Sequence, residues 1–466
     1  MPSTAASSAL QALWREAALP EASLDDIVLT GADPVLPSSF AVGAAAQAAL
    51  GAAALAAAHL YRLRSGQGQR LTLDMADAAF DSCGWFAVDG RTPNPWDPLS
   101  GLYRCGPEGR GGWVRIHANF AHHRDGALRL LGLPAGAGTT REQVAAALAG
   151  WQATDFEEAA AAAGLVLAAV RSFDEWDRHP QAAALASLAP VTIRRIGDAG
   201  PRRWPALAPA DRPLTGLRVL ELTRILAGPV AGRTLAAYGA DVMLVNGSHL
   251  PNIASIADTS RGKRSVLLDL REAADQQTLR RLAGEAQVFL QGYRPGGLGR
   301  LGFGVDELAR ISPGIVCVSL SAYGHRGPWA ARRGFDSLVQ SATGFNVAEA
   351  AAAGVAEPRA LPLQILDYCA GYLLAFGTQT ALARQAHEGG SWHVQVSLAG
   401  IGRWLRGFER VADGFRVGRP DFPSRAQDCD SGFGRLSVLP HPVVFSKTPA
   451  RWDRPSRPPG ADIARW

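Results

Sequence analysis

The chain has 466 residues, of which 47% are hydrophobic and 19% charged, as is usual for a globular protein that buries a large core. Its formal charge of +5 comes almost entirely from arginine, since Lys263 and Lys447 are the only lysines. The basic residues are dispersed and are not interleaved with aromatic residues, which argues against nucleic acid as a partner.

The N-terminus and the cysteines indicate the compartment. No basic segment followed by an apolar core stands at the N-terminus, so we expect no secretory signal. Five cysteines form no Cys-x-x-Cys pair, which predicts a reducing compartment, the cytoplasm. The long apolar run at residues 40–60 is mostly Ala and Gly. We interpret it as a packed core helix, and we expect no membrane partner.

Residues 1–95 form the first predicted unit, an N-terminal extension followed by a helix at 41–63 and a strand at 70–75. The same order of helix, Gly-rich turn and strand recurs from Asp367 to Leu398, 323 positions later. This spacing indicates an internal repeat. The first copy has Ala44 at the position of Asp367. We therefore interpret the first copy as structural.

A second unit is predicted at residues 96–200, where a short strand at 112–117 and several Ala-rich helical stretches are typical of a smaller α/β domain. Residues 201–212 have little periodicity and several prolines, which indicates a linker. A large domain follows at 213–400. Residues 401–466 are predicted to be a tail that runs over the rest as irregular structure.

The large domain alternates buried-type strands with helical stretches. The strands are predicted at 217–222, 241–245, 265–268, 288–290 and 315–320. This alternation predicts an α/β fold with an open, mostly parallel, Rossmann-like sheet. Ligands of such sheets bind beyond the carboxyl ends of the strands.

Three loops of this domain carry residues suited to an anionic ligand. The turn 224–229 places Pro229 near the first turn of a helix, but it lacks the Gly-x-Gly-x-x-Gly pattern of dinucleotide-binding dehydrogenases. The loop 261–264 concentrates three cations around a glycine, although a solvated loop is the alternative. Residues 293–296, with Arg300 beyond them, offer an aromatic ring and cations after a strand end.

Asp367 stands between an apolar stretch and a long helical pattern. Aspartate is a favoured helix N-cap residue, so a structural role is one interpretation. A carboxylate that the helix dipole orients and keeps ionised would also suit a nucleophile. His117, His122 and His123 have no acid or cysteine at ligand spacing, so packing or surface roles are predicted and no metal site is expected.

Residues 213 to about 400 resemble the class III CoA-transferases, the family that includes formyl-CoA transferase, carnitine CoA-transferases and the related α-methylacyl-CoA racemases. The resemblance rests on ordered segments at 213–224, 227–229, 239–242, 262–265, 293–296, 300–304, 324–328 and 334–336. Residues 41–195 resemble the later portion of the family, and residues 440–466 resemble its C-terminal tail. The resemblance thus describes a rearranged one-and-a-half-copy member.

The resemblance implies that Asp367 is the nucleophile and that coenzyme A is bound as a substrate, without a metal. The residues that it implies for CoA binding are Ile225, Leu226, Lys263, Gly292, Tyr293 and Arg300, with Arg333 and Phe335 nearby. It further implies a homodimer with interlocked subunits. Family racemases have a histidine where this chain has Phe335.

The function implied by the resemblance is the transfer of CoA from an acyl-CoA thioester to a carboxylic acid, through mixed anhydrides and an aspartyl-CoA thioester. Two alternatives stay open. One is an acyl-CoA racemase or isomerase that acts at the α-carbon. The other is a non-catalytic CoA-binding subunit, since the first repeat lacks the carboxylate and the loop at 246–260 is short.

Overall fold

The computed structural model describes residues 4–202 and 204–466. The α-helices, in chain order, are α1 Thr4–Glu16, α2 Val42–Ser65, α3 Met75–Asp81, α4 Ala121–Leu130, α5 Arg141–Leu148, α6 Ala153–Ala162, α7 Phe173–Asp177, α8 Pro180–Leu185, α9 Ala227–Ala237, α10 Ile256–Thr259, α11 Ala273–Glu285, α12 Val305–Ile311, α13 Asp336–Ala342, α14 Phe345–Ala353, α15 Ile365–Glu388 and α16 Leu398–Arg406. The strands are β1 Ile27–Thr30, β2 Leu71–Asp74, β3 Phe86–Val88, β4 Gly101–Arg104, β5 Trp113–Ile116, β6 Leu167–Ala169, β7 Thr192–Gly197, β8 Arg218–Leu222, β9 Asp241–Asn246, β10 Lys263–Leu267, β11 Val288–Gln291, β12 Val316–Ser321, β13 Ser391–Ser397, β14 Gln427–Ser431, β15 Gly434–Val438 and β16 Val443–Phe445.

A seven-stranded sheet in the order β10-β9-β8-β11-β12-β13-β7 forms the centre of the fold. Every neighbouring pair is parallel except β13 and β7. The chain first moves from β8 outward to β9 and β10, and then returns to place β11 on the other side of β8. This reversal is the switch point of a doubly wound sheet, and it opens a crevice at the carboxyl ends of β8 and β11. The predicted α/β fold with a mostly parallel sheet is confirmed.

The sheet is buried on both faces because its strands are almost continuously apolar. Successive residues point to opposite faces, so Val219 packs in the core with α9 and α15, whereas Leu220 packs in the core with α11 and α12. The same alternation holds for Val242 and Met243 on β9. The two helical layers thus hold the sheet rigid below the crevice.

The described residues also form three smaller sheets, in the orders β1-β2-β16, β14-β15-β3 and β4-β5-β6. The last of these shares a separate hydrophobic core with α4, α5 and α6, within the predicted range 96–200, and we call this unit the small domain. Strand β7 lies within the predicted domain 96–200 but pairs with β13 in the large sheet. The small domain therefore ends before Thr192.

The predicted irregular tail contains three strands, so that prediction was wrong. Within it, β15 pairs with β3 and β16 pairs with β2. These partners stand some 350 residues earlier in the chain, as the pair Leu436 and Val88 illustrates. No local pattern could indicate such a pairing, because the tail strands are only three to five residues long and their partners are far away in the sequence.

Helix α2 is the apolar run that the sequence presents near the N-terminus. By length and composition it could cross a membrane, yet 94% of its most apolar window is buried inside the protein. It packs against α15, where the side-chain amide Nε2 of Gln379 donates a 2.9 Å hydrogen bond to the carbonyl oxygen of Ala53. Helix α2 is thus part of the core.

Candidate functional site

A cavity of about 710 Å³ lies at the carboxyl ends of the parallel strands. This volume falls within the range of small-molecule sites. Its walls come from the segments that follow β8, β9, β10, β11 and β12, from the starts of α9, α15 and α16, and from the small domain. The crevice predicted by the strand order therefore contains this cavity.

The structure brings most of the implied site residues together around this cavity. Those that line it are Ile225, Leu226, Gly292, Tyr293, Arg333, Phe335 and Asp367. Lys263 and Arg300 are not among the lining residues. The cavity walls thus unite segments that are separated by more than 100 residues of sequence.

Asp367 is the third residue of α15, and its residue surface is 8% exposed. The N-cap is Gln364, so the N-cap interpretation of Asp367 was wrong. Its backbone N–H donates a 2.9 Å hydrogen bond to Oδ2 of Asp336, the first residue of α13. The carboxyl group of Asp367 is therefore in the first turn of the helix, held beside a second acid.

Burial and the neighbouring Asp336 carboxylate raise the pKa of Asp367 well above its ordinary value. Burial also raises the pKa of Asp336 to about 7, although hydrogen bonds from the backbone of Asp367 and the side chain of Gln340 oppose the shift. We expected the helix dipole to keep Asp367 ionised, but desolvation outweighs that effect here. Asp367, which lines the cavity, is thus electrostatically coupled to the fully buried Asp336.

The turn between β8 and α9 is strained where it meets the cavity. Ile225 has φ +76°, which is unfavourable for a β-branched residue. Such strain is typical of functional sites, where surrounding structure imposes the conformation. The turn aims the first-turn N–H groups of α9, which have no intrahelical partners, toward the cavity side. A helix start of this kind favours an anionic group.

The cavity is lined by an excess of cations. Arg224, Arg294 and Arg333 form no ion pair with any carboxylate of the described residues, whereas Arg271 pairs with Asp269 and Arg332 pairs with Glu158. Burial lowers the pKa of Arg224 and of Arg333, so both guanidinium groups would gain from an anionic partner. The lining therefore suits a ligand that carries several negative charges.

The small domain closes one side of the cavity with Phe120, His122, His123 and Val166. The His122 and His123 rings lie 4.0 Å apart between centroids, and His117 stacks on Phe335 at the same distance. Burial and the neighbouring cations lower the pKa of His123 to about 3, so its imidazole is neutral at pH 7. Among the described residues no cluster of His, Cys, Asp or Glu is arranged to hold a metal ion.

Sequence reasoning did not place His122 and His123 in the site. They precede the sheet by about 100 residues and contact it only through the docking of the small domain. Their adjacency is a weak signal that packing explains equally well. Arg224 and Arg294 belong to the turns 224–229 and 293–296. These turns follow β8 and β11, which explains why both arginines line the cavity.

Lys263 has a structural position. It is the first residue of β10, at the amino end of the strand and away from the cavity, and its side chain is fully buried. Its Nζ donates to Oε1 of Glu221 at 3.0 Å and to the carbonyl oxygen of Pro229 at 2.8 Å. Lys263 therefore does not reach the cavity where CoA was expected to bind. The charge of its ammonium group is already balanced by Glu221 inside the protein. Arg300 is exposed and also lies outside the cavity.

Comparisons with known proteins agree with this arrangement. The sequence model of the CoA-transferase family III matches residues 27–200 and 214–431, which is most of the chain. The acetyl-coenzyme A transferase nodX of Hypoxylon pulicicidum is 36% identical over 211 residues, which are 43% of this chain and 36% of that protein. The probable fatty acyl-CoA transferase Rv3272 of Mycobacterium tuberculosis is 35% identical over 201 residues, 40% of this chain and 50% of that protein.

A crystal structure of Rv3272 from Mycobacterium tuberculosis has 34% sequence identity and a TM-score of 0.39, and it covers 42% of this chain and 56% of that one. The chain thus spans about half or less of the length of these relatives. The family match extends over both the small domain and the large sheet, that is, over all walls of the cavity. The chain therefore belongs to the CoA-transferase family III.

Proposed function

We propose that the protein transfers coenzyme A from an acyl-CoA thioester to a carboxylic acid, with Asp367 as the nucleophile. The observation that carries the proposal is that Asp367 is the only acid among the described residues that line a cavity rich in arginine. CoA carries its negative charges at one end and its thioester at the other. A cationic cavity that ends at a single carboxyl group matches both ends of such a ligand.

In the proposed reaction, a carboxylate oxygen of Asp367 attacks the thioester carbonyl of the donor and expels the CoA thiolate, leaving a mixed anhydride. The thiolate then attacks the aspartyl carbonyl, so that the donor acid leaves and an aspartyl-CoA thioester forms. The acceptor carboxylate attacks this thioester and again expels thiolate. Attack of the thiolate on the acceptor acyl group yields the new acyl-CoA and restores Asp367. Each thiolate stays bound between steps, which makes its return attack effectively intramolecular.

The residues around Asp367 support this chemistry. The raised pKa makes the ionised carboxylate more basic and therefore a stronger nucleophile, provided that the pH is high enough to ionise it. Arg224, Arg294 and Arg333 supply charge for the phosphates, and Tyr293 supplies an aromatic ring. The neutral imidazole of the buried His123 lines the same cavity without adding charge.

The decisive experiment is intact-mass spectrometry of the protein after incubation with a panel of acyl-CoA thioesters, followed by hydroxylamine trapping and peptide mapping. We expect a hydroxamate on Asp367 with at least one thioester, and none in Asp367→Asn. The donor that gives the adduct identifies the acyl class. Full transferase activity of Asp367→Ala with that donor would overturn the mechanism.

A second candidate function is isomerisation at the acyl α-carbon. The observation that favours it is His123, which lines the same cavity as Asp367 and whose buried Nδ1 has no hydrogen-bond partner among the described residues. A carboxyl group and an imidazole in one cavity can in principle move a proton between two faces of a carbon. Deuterium incorporation at the α-carbon without an acceptor acid, unchanged in rate by added acid, would favour isomerisation over transfer.

We further propose that the substrates are limited to acyl-CoA and carboxylic acids and that the protein works in the cytoplasm. The five cysteines are all free thiols, which supports a reducing compartment. The names of the relatives state acetyl-CoA or fatty acyl-CoA transfer for those proteins. The panel of acyl-CoA thioesters identifies which acyl group this protein uses.

A further inference from the structure

The two copies of the sequence repeat have matching structures. Helices α2 and α15 are each 24 residues long, and both boundaries of α15 lie 323 positions after those of α2. Strands β2 and β13 end 323 positions apart, and α3 and α16 begin directly after them. The repeat therefore covers a helix, a strand and the start of the next helix.

The neighbours of the two repeated strands also match. Strand β13 lies between β12, which is parallel to it, and β7, which is antiparallel. Strand β2 lies between β1, which is parallel, and β16, which is antiparallel. The three-stranded sheet β1-β2-β16 is thus a reduced version of one edge of the large sheet.

The closing strands of the two sheets are exchanged. Strand β7 follows the first repeat in sequence but completes the sheet of the second repeat, at β13. Strand β16 follows the second repeat but completes the sheet of the first, at β2. An exchange of equivalent elements between two equivalent units is the arrangement of a domain-swapped dimer, realised here between the two halves of a single chain.

The repeated helices pack directly on each other, as the hydrogen bond from Gln379 of α15 to Ala53 of α2 illustrates. Contact between equivalent elements is what a two-fold interface between identical subunits produces. In this chain both sides of that interface belong to the same core. The surface that another copy would cover is already occupied.

The two halves differ where the chemistry is proposed. In α15 the N–H of Asp367 donates to Oδ2 of Asp336 at 2.9 Å, and in α2 the N–H of Ala44 donates to Oδ2 of Asp33 at the same distance. The carboxylate that holds the helix start is therefore present twice, but the nucleophile is present once. The first sheet, of three strands, also lacks counterparts of the strands that carry the cationic loops.

We infer that the chain folds as an internal pseudo-dimer: residues 27–200 act as the second subunit for the large sheet, and one complete CoA site per chain forms in cis in a functional monomer. The small-domain wall with Phe120, His122 and His123 and the closing strand β7 both come from this first part. The remainder of the second site is a relic without a nucleophile. The identity of the ligand rests on the proposed function, whereas the cis assembly does not.

The cis assembly is tested by a disulfide between the two halves. An ideal Cβ on Gly197 of β7 lies 3.3 Å from Cβ of Ser391 of β13, close to the ~3.8 Å typical of disulfides. We expect oxidised Gly197→Cys/Ser391→Cys to migrate as a single chain on non-reducing gels. The two single-cysteine variants control for pairing with the native thiols. A covalent dimer would show that β7 is donated by another chain and would overturn the inference.

Two measurements on the unmodified protein complete the test. Sedimentation equilibrium should give the chain mass of 49.1 kDa, with and without CoA. Isothermal titration with CoA should give one site per chain. A mass of twice this value, or two sites per chain, would contradict the pseudo-dimer. If CoA does not bind, the proposed function fails, while the disulfide and the mass still decide the assembly.

Discussion

The backbone N–H of Asp367 donates a 2.9 Å hydrogen bond to Oδ2 of Asp336, so that two acids from different helices lie side by side. Asp336 is fully buried, while Asp367 faces the cavity. Because Asp336 raises the pKa of Asp367, it acts as a positioning residue with an electrostatic effect on the proposed nucleophile.

Replacing Asp336 with asparagine should shift the acid limb of the kcat/KM profile to lower pH. Burial, the larger cause of the raised pKa of Asp367, stays in this variant, but the charge of Asp336, the second cause, is removed, and the asparagine carbonyl can still accept the Asp367 N–H. The measurement is kcat/KM from about pH 4 to about pH 9 with the donor found by trapping. Asp198→Asn, at an exposed site, serves as the control. An unmoved acid limb in Asp336→Asn would refute the coupling.

The contribution of Asp336 to stability should fall as the pH rises. The pKa of Asp336 is raised to about 7 in the folded state, so at this site the folded protein binds more protons than the unfolded chain between the unfolded pKa of about 3.9 and this value. The contribution of Asp336 to the free energy of unfolding should therefore be largest below this window and fall until about pH 7. Urea titrations of the protein and of Asp336→Asn should give a difference in the free energy of unfolding that falls across the window. A difference that does not change with pH would refute the raised pKa of Asp336.

Lys263→Met should destabilise the protein by about 3–5 kcal/mol, because it leaves Glu221 ionised and unpaired in the core. Burial already raises the pKa of Glu221 and lowers that of Lys263. The double variant Lys263→Met/Glu221→Leu should recover much of the loss, since it removes both buried charges. Urea denaturation measures both effects. If Lys263→Met has normal stability but no longer binds CoA, Lys263 contacts the ligand and its structural role is refuted.

Arg294→Ala and Arg333→Ala should each weaken CoA binding by roughly tenfold, since each removes a charge-assisted contact worth about 1.5 kcal/mol. Both guanidinium groups line the cavity without a carboxylate partner among the described residues. Arg300→Ala is the matched control and should leave the Kd unchanged, because Arg300 is exposed outside the cavity. Calorimetric titration with CoA at two salt concentrations distinguishes the cases. An equal loss of CoA affinity in all three variants would show that the arginines act through the overall positive charge of this surface and not through direct contacts.

Gly371→Ala should destabilise the protein by about 1–3 kcal/mol, as expected for overpacking. A Cβ there would lie 2.7 Å from the carbonyl oxygen of Ala227 and from Val230, where α15 crosses α9. Gly284→Ala, in a helix with its nearest neighbour at 3.9 Å, should be neutral or stabilising. Thermal melts compare the two variants. A neutral Gly371→Ala would mean that the helices separate easily.

The large sheet was predictable because each of its predicted strands can be recognised from its own residues. Buried parallel strands such as β8 and β12 are short apolar runs between helical patterns, and the site loops follow them directly. Local order also fixed Asp367 at the start of a helix. The position of β7 was not predictable, since an edge strand shows little of its partner in its own residues.

The sequence by itself determined the family and the large sheet, because these depend on periodicity and on motifs that are local. Only the tertiary structure decided which residues meet in the cavity. It buried Lys263 against Glu221, brought His123 from the small domain, and set Asp336 beside Asp367. The physical reason is that burial and electrostatic coupling depend on distances between segments far apart in the chain, which no local pattern encodes.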